Sequence, residues 1–213
     1  GGETLMADRV VLAAPAAAAA DLLAPLDPDL ADALRAFPSA PVAVVALAYA
    51  RSDVRALDGY GFLVPAMERL DTMGTVWESS VFDGRAAAGT VLLRSMLGGA
   101  RRPQLASLDE HELEARARRE LECVLGITAA PLRRWVWRWR PGITQYELGH
   151  DARVRAVRER AVAHAGLELA GSSYDGVSFT AAARSGTDAA DRLLDAGLAS
   201  GAGAGALAGA RSA

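Results

Sequence analysis

Residues 166–194 hold the run of residue types best able to do chemistry. Gly166-Leu167-Glu168-Leu169-Ala170-Gly171 reads as a short apolar strand, Ser172-Ser173-Tyr174-Asp175 as a small-residue turn, and a helix begins close to Gly176-Val177. The first turn of a helix leaves backbone N–H groups unpaired and carries a partial positive charge. Such an end suits an anionic or electron-rich acceptor, for instance a phosphate or the N1/O2 edge of a reduced flavin. Gly171 and Gly176 would let that acceptor approach the backbone closely. The same spacing also serves an ordinary strand–turn–helix connection, and on spacing alone that plainer reading is preferred.

Elsewhere the chemistry-bearing residues are sparse. Cys123 is the single cysteine, which excludes an internal disulfide and a cysteine-based zinc site; it falls on an apolar step of a helical pattern and reads as a buried thiol. His111, His150 and His164 have no Cys or carboxylate at metal-ligand spacing, and His150 reads as a backbone hydrogen-bonder capping the Gln145–Gly149 loop. Glu78 and Asp83 are too loosely paired for acid/base work. Trp135 and Trp137, at strand spacing, read as packing. All 23 basic residues are Arg, spread along the chain, and with the Ala and Gly content this reads as the product of a GC-rich genome. A net charge of −3 gives no sign of nucleic-acid binding. No signal peptide is visible, and no apolar run approaches the ~18 residues of a spanning helix. The expected location is the cytoplasm, or at most the periphery of a membrane.

The elements that must position the turn follow from periodicity. Ala7 to Ala13 is a short apolar strand, and an Ala-rich helix runs from Pro15 to Leu23. Asp27 N-caps a helix through Arg35 with Pro28 at its first position. Strands are expected at Val42–Tyr49, Tyr60–Val64, Thr72–Glu78, Thr90–Leu97 and Leu132–Trp139. Helices are expected from Leu108 to Leu125, with Leu113, Leu121 and Val124 inward, and from Asp151 to Ala165. The second turns Val154, Val157 and Ala161 inward and Arg153, Arg155, Arg158 and Arg160 toward solvent. A helix over 177–195 closes the order, and a low-complexity, disordered tail is expected from Gly197.

Three blocks resemble one family. Leu169-Ala170-Gly171-Ser172-Ser173-Tyr174-Asp175-Gly176-Val177, with Arg184-Ser185-Gly186 and Ala189-Ala190 after it, is similar to the C-terminal signature of protoporphyrinogen and coproporphyrinogen oxidases, members of the FAD-dependent amine-oxidase superfamily. The stretch Arg138-Trp139-Arg140-Pro141 to Gln145-Tyr146 and Gly149-His150 resembles their Arg-Trp-Pro…Pro-Gln-Tyr…Gly-His block. Gly59 to Pro65, with Gly74 to Phe82, supplies the third. The resemblance implies oxidation of a porphyrinogen to the porphyrin by transfers to FAD, with dioxygen re-oxidising the flavin, in haem biosynthesis. It places Trp139, Val177, Ser178 and Phe179 at the flavin, with Gly171 and Tyr174 lining the same turn. It names no general base and no metal. Thr144 stands where the family usually has Pro, Ala181-Ala182-Ala183 where a Cys is common, and Phe82-Asp83-Gly84 replaces a common Phe-Pro-Gly.

No Gly-x-Gly-x-x-Gly fingerprint follows any strand, so the adenosine and pyrophosphate of FAD would have no site here. A buried strand reached after six residues, with no partner upstream, also points to truncation. The expected fold class is α/β (α+β): the C-terminal part of a two-domain FAD-dependent oxidase. Residues 1–38 and 141–196 would be terminal pieces of a Rossmann-like FAD domain, 39–140 an antiparallel substrate-domain sheet, and 197–213 the tail. As an isolated fragment the chain is expected to be inactive. The alternatives are a piece of another superfamily member, an amine oxidase or carotenoid desaturase, and a non-catalytic remnant.

Overall fold

The computed structural model describes residues 2–208. Their backbone divides into two compact units, one from the chain's ends (up to Pro38 and from Thr144) and one from Ser39–Ile143.

In the first unit, β1 (Val10–Leu12) pairs in parallel with β7 (Leu167–Leu169), Val10 opposite Leu167 and Leu12 opposite Leu169. The partner that the sequence leaves open for β1 therefore comes from the far end of the chain. The strand is also shorter and wetter than expected, with Val10 and Val11 part-exposed. Helices α1 (Ala16–Leu23), α2 (Pro28–Arg35) and α5 (His150–Ala161) pack Ala19, Ala20, Leu30, Leu34, Val154 and Val157 into one core with Leu169 and Tyr174. The Asp27 carboxylate accepts from the Leu30 N–H at 2.9 Å, as an N-cap should. It also receives Arg160 at 2.9–3.1 Å and His164 at 2.9 Å, which ties α2 to the end of α5. These contacts hold its carboxyl far below the usual carboxylate range, the Arg160 bond being the largest cause. The arginines of α5 are thus not simply a solvated face: Arg158 and Arg160 are spent on ion pairs. Helix α6 (Phe179–Ala208) runs past Gly197, from which a disordered tail is expected; residues 209–213 of that tail lie outside the described residues.

The second unit is a five-stranded sheet in the order β3-β4-β5-β2-β6. Strands β2 (Ser39–Ala50) and β5 (Thr90–Gly98) pair antiparallel from Val42 opposite Gly98 to Ala50 opposite Thr90. Strands β3 (Gly61–Leu63) and β4 (Thr72–Val76) extend that side, also antiparallel, and a short helix α3 (Glu78–Val81) follows. Helix α4 (Glu110–Leu125) lays Leu113, Ala117, Leu121 and Leu125 on Val45, Leu47, Val91 and Leu93. It stops at Gly126, whose φ of +70° is the left-handed cap the sequence predicts. Two readings of α4 change. Cys123 is exposed, since at about 100° per residue it sits roughly 140° round the helix from the middle of the buried arc formed by Leu113, Ala117, Leu121 and Leu125. The last turn buries Leu125 with Ile127 and leaves Val124 part-exposed. Strand β6 (Arg133–Thr144) lies at the sheet edge and continues through Pro141, which only an edge position tolerates without loss of a ladder bond.

Candidate flavin-contacting turn

The segment from Gly171 to Ser178 lies in the first unit and is fixed by groups from four different elements. From the loop before α5, the Tyr146 hydroxyl donates to the Ser172 carbonyl at 2.9 Å and accepts from the Gly176 N–H at 2.5 Å. Its ring stacks on His150 with centroids 3.7 Å apart, and His150 Nε2 lies 3.1 Å from the Tyr174 carbonyl. So His150 does bond backbone: its ring bonds this turn, and its own N–H donates to the Glu147 carbonyl of the Gln145–Gly149 loop at 3.0 Å. From α6, Ser185 Oγ accepts from the Gly171 N–H at 2.9 Å and donates to the Asp175 carboxylate at 2.5 Å. Arg158 completes the carboxylate's partners at 2.7–2.9 Å. Burial pushes the Asp175 carboxyl up, yet the bonds from Ser185 and Arg158 outweigh it and the net shift is downward. From the start of α1, the Ala16 N–H donates to Ser173 Oγ at 2.9 Å. Thr144, the residue standing where the family has Pro, lies 3.3 Å from that same Ser173 oxygen.

Two glycines make this path feasible. Gly171 and Gly176 have φ of +112° and +129°, outside the comfortable range of other residues, and a Cβ on Gly176 would meet that of Ala181 at 2.7 Å. Beyond Gly176 the chain enters α6 through Ser178, whose side chain accepts from the Ala181 N–H at 3.1 Å. That cap uses one of the first-turn donors and leaves the Phe179 and Thr180 N–H groups without an acceptor among the described residues. Val177 and Phe179 are 57% and 91% exposed beside them. A polar depression of about 370 Å³, lined in part by Asp175, Ser178, Arg184 and Asp188, flanks the same helix start.

The six residues named from the sequence are therefore placed unevenly. Gly171, Tyr174, Val177, Ser178 and Phe179 fall on one turn and helix start. Val177, Ser178 and Phe179 present themselves outward, whereas Tyr174 is buried, its ring edge-on to Phe37 at 5.6 Å and its hydroxyl without a partner. Burial pushes that hydroxyl up to about 12. Trp139 is on β6 of the other unit, half-exposed on the same strand face as Trp135 and Trp137. These tryptophans are surface groups and not packing residues, because the opposite face of β6 is the one turned to the core: Val136 packs there, Arg134 pairs with Glu114, and Arg138 donates to the Leu108 carbonyl at 3.0–3.1 Å. Tyr146 and Ser185 are not among the residues named from the sequence, although the Gln-Tyr and Arg-Ser-Gly steps of the resembling blocks contain them; the bond from the His150 ring to the Tyr174 carbonyl has no local signal beyond the Gly-His pair.

The turn's free donors, its positive-φ glycines and the exposed apolar pair Val177 and Phe179 fit the edge and face of an isoalloxazine ring. Among the described residues no group of acidic, His or Cys side chains could hold a metal ion. No helix among them is long and apolar enough to cross a membrane.

Residues 1–194 match the family described as flavin containing amine oxidoreductase, and the chain belongs to that family. Among curated proteins it is 32% identical to a chloroplastic protoporphyrinogen oxidase of Oryza sativa subsp. japonica over 92% of this chain and 38% of that protein. It is 31% identical to the coproporphyrinogen III oxidase of Bacillus subtilis (strain 168), over 84% of this chain and 38% of that protein. Among solved structures, a provisionally assigned protoporphyrinogen oxidase from Exiguobacterium sp. 255-15 superposes with a TM-score of 0.70 at 25% identity, over 89% of this chain and 42% of that one. Cyclohexylamine oxidase from Brevibacterium oxydans shares the fold, with a TM-score of 0.65 at 19% identity over 92% and 44% of the two chains. The chain spans about two fifths of the length of the relatives it matches.

Proposed function

We propose that this chain forms the C-terminal part of an FAD-dependent porphyrinogen oxidase of haem biosynthesis, with dioxygen as the final acceptor. The observation that carries the reading is the helix start at Ser178. It is capped so as to leave the Phe179 and Thr180 N–H groups free, on a turn that six partner groups hold in place. Relatives that are protoporphyrinogen and coproporphyrinogen oxidases support the substrate class.

On this reading Val177 and Phe179 pack against the flavin ring. The N–H groups at the start of α6 bond the ring's electron-rich edge, which the partial positive charge of the helix end favours. Bound FAD supplies hydride acceptance; the protein's part is to orient the ring, exclude water and stabilise charge with donors already in place. Gly171 spends its N–H on Ser185, and Tyr174 acts through its backbone and by filling the core beneath the turn. Residues 1–38 and 141–196 would belong to the flavin domain and residues 39–140, with most of the sheet, to the substrate domain.

The test is an anaerobic half-reaction. Mixed with coproporphyrinogen III or protoporphyrinogen IX, the flavin-loaded protein carrying this segment should bleach, and oxygen should restore its colour. Flavin that stays oxidised with both porphyrinogens overturns the reading. The 213-residue chain alone should bind FAD weakly, since it offers the ring a turn but gives the pyrophosphate no fingerprint loop.

A further inference from the structure

A second cavity, of about 380 Å³, lies wholly within the sheet unit, and nothing proposed above uses it. Ala48, Leu92 and Leu132 contribute to its apolar lining, together with Trp135, which is 39% exposed. Its charged lining residues are Arg85 and Arg133, with no acid among them.

Among the described residues neither of those two arginines is ion-paired, and both line one recess. Several other guanidinium groups of the sheet unit are spent on carboxylates, among them Arg94 on Glu78, Arg102 and Arg116 on Asp71, and Arg134 on Glu114. Arg85 touches only the ring of Phe82, at 5.2 Å, and Arg133 has no hydrogen bond or ion pair among the described residues. Two uncompensated cations beside an apolar, tryptophan-lined recess occur in a chain whose net charge is −3. Guanidinium groups recognise carboxylates with a two-pronged geometry, and an indole offers a stacking face that a buried aliphatic wall does not. A pocket of this size, mostly apolar with a few converging polar groups, is typical of small-molecule sites.

We propose that this cavity binds an aromatic carboxylate, its ring against Trp135 and its carboxylate groups on Arg85 and Arg133. The inference uses neither flavin nor the turn at Gly171–Ser178, so it stands or falls apart from the oxidase reading.

Titrating the chain by calorimetry with naphthalene-2,6-dicarboxylate should give saturable one-to-one binding. Arg133→Gln and Arg85→Gln should each weaken it about fivefold or more, and Trp135→Ala about tenfold. All three positions are on the surface of the unit, and far-ultraviolet circular dichroism should confirm that each variant folds. Arg101→Gln removes another exposed arginine, one that lines a different cavity, and should leave the affinity unchanged. The dimethyl ester should bind at least fivefold more weakly than the diacid. Absence of saturable binding overturns the proposal. So does an equal loss in Arg101→Gln, which would mean bulk charge, or an ester that binds as tightly as the diacid.

Discussion

The Tyr146 hydroxyl lies 2.5 Å from the Gly176 amide nitrogen and 2.9 Å from the Ser172 carbonyl oxygen, so one side chain closes the turn from both ends. Its proton goes to the carbonyl and its lone pair takes the amide proton, which satisfies both backbone groups at once. Burial raises the hydroxyl's pKa, partly offset by the Gly176 N–H, so the group stays protonated throughout the neutral range.

Tyr146→Phe keeps the stack on His150 and deletes only these two bonds. The site is part-exposed, so the expected loss is about 1 kcal/mol, read as a lower thermal midpoint. In the flavin-loaded protein the same change should weaken flavin affinity and shift the flavin absorbance bands, because the donors at the start of α6 lose their fixed position. A variant that keeps the parent's midpoint, affinity and spectrum would show that the hydroxyl positions nothing.

Asp27 should make stability pH-dependent in one direction. Its folded-state pKa is depressed by Arg160, His164 and the Leu30 N–H, so its contribution is fully present above the unfolded value near 4 and is lost as pH falls further. Asp27→Asn preserves the helix cap, because Asn caps about as well as Asp, and removes the charge. The variant should melt below the parent at pH 7, and the gap should narrow steadily as pH falls from about 4 to 2. A gap that stays constant over that range would assign the effect to packing and leave the ion pairs no role.

Asp27, Pro28 and Gly126 were legible because their chemistry is local: a cap, a fixed φ and a left-handed terminus need no partner from afar. The β-branched run of β2 was legible for the same reason. What the sequence hid depends on contacts across the fold. Tyr146 meets Gly176 thirty residues on, and Ala16 meets Ser173 across 157. Neither pairing leaves a period or a cap to read. Trp135 and Trp137 fit the strand spacing of a buried face, but which face of β6 is covered is decided by α4. Pro141 marks a strand end in sequence, and only its edge position let β6 continue to Thr144.

Tyr49 and Tyr174, one in each unit, report on alkaline stability. Burial raises both hydroxyls to about 12, while an unfolded tyrosine ionises near 10. A raised folded-state value means the unfolded chain loses its protons first, so stability should fall as pH climbs from about 10 toward 12. Phenolate absorbance from this buried pair should therefore appear only with loss of near-ultraviolet circular dichroism. Tyr49 and Tyr174 titrating near pH 10, with the fold intact, would contradict their burial.

Glu120 is a buried carboxylate on the core side of α4, and it does the work of a cap for another segment. Its two oxygens accept from the Asp71 N–H, the Thr72 N–H at 3.0 Å and the Thr72 hydroxyl at 2.6 Å, where the chain enters β4. Three donors converge on it, so removing it leaves three polar groups without an acceptor at a largely buried site. Glu120→Ala should cost about 3 kcal/mol, lowering the denaturant midpoint without changing the slope. Glu120→Gln should fall between, since its amide keeps one acceptor and turns its NH2 toward a donor. Glu122→Ala, two residues along on the exposed face of α4, should stay within about 0.5 kcal/mol of the parent. Hydrogen exchange separates a local effect from a global one: at mild denaturant the Asp71 and Thr72 amides of Glu120→Ala should exchange before the β2–β5 ladder does. If Glu120→Ala unfolds at the same denaturant concentration as Glu122→Ala, the carboxylate does not hold the entry to β4.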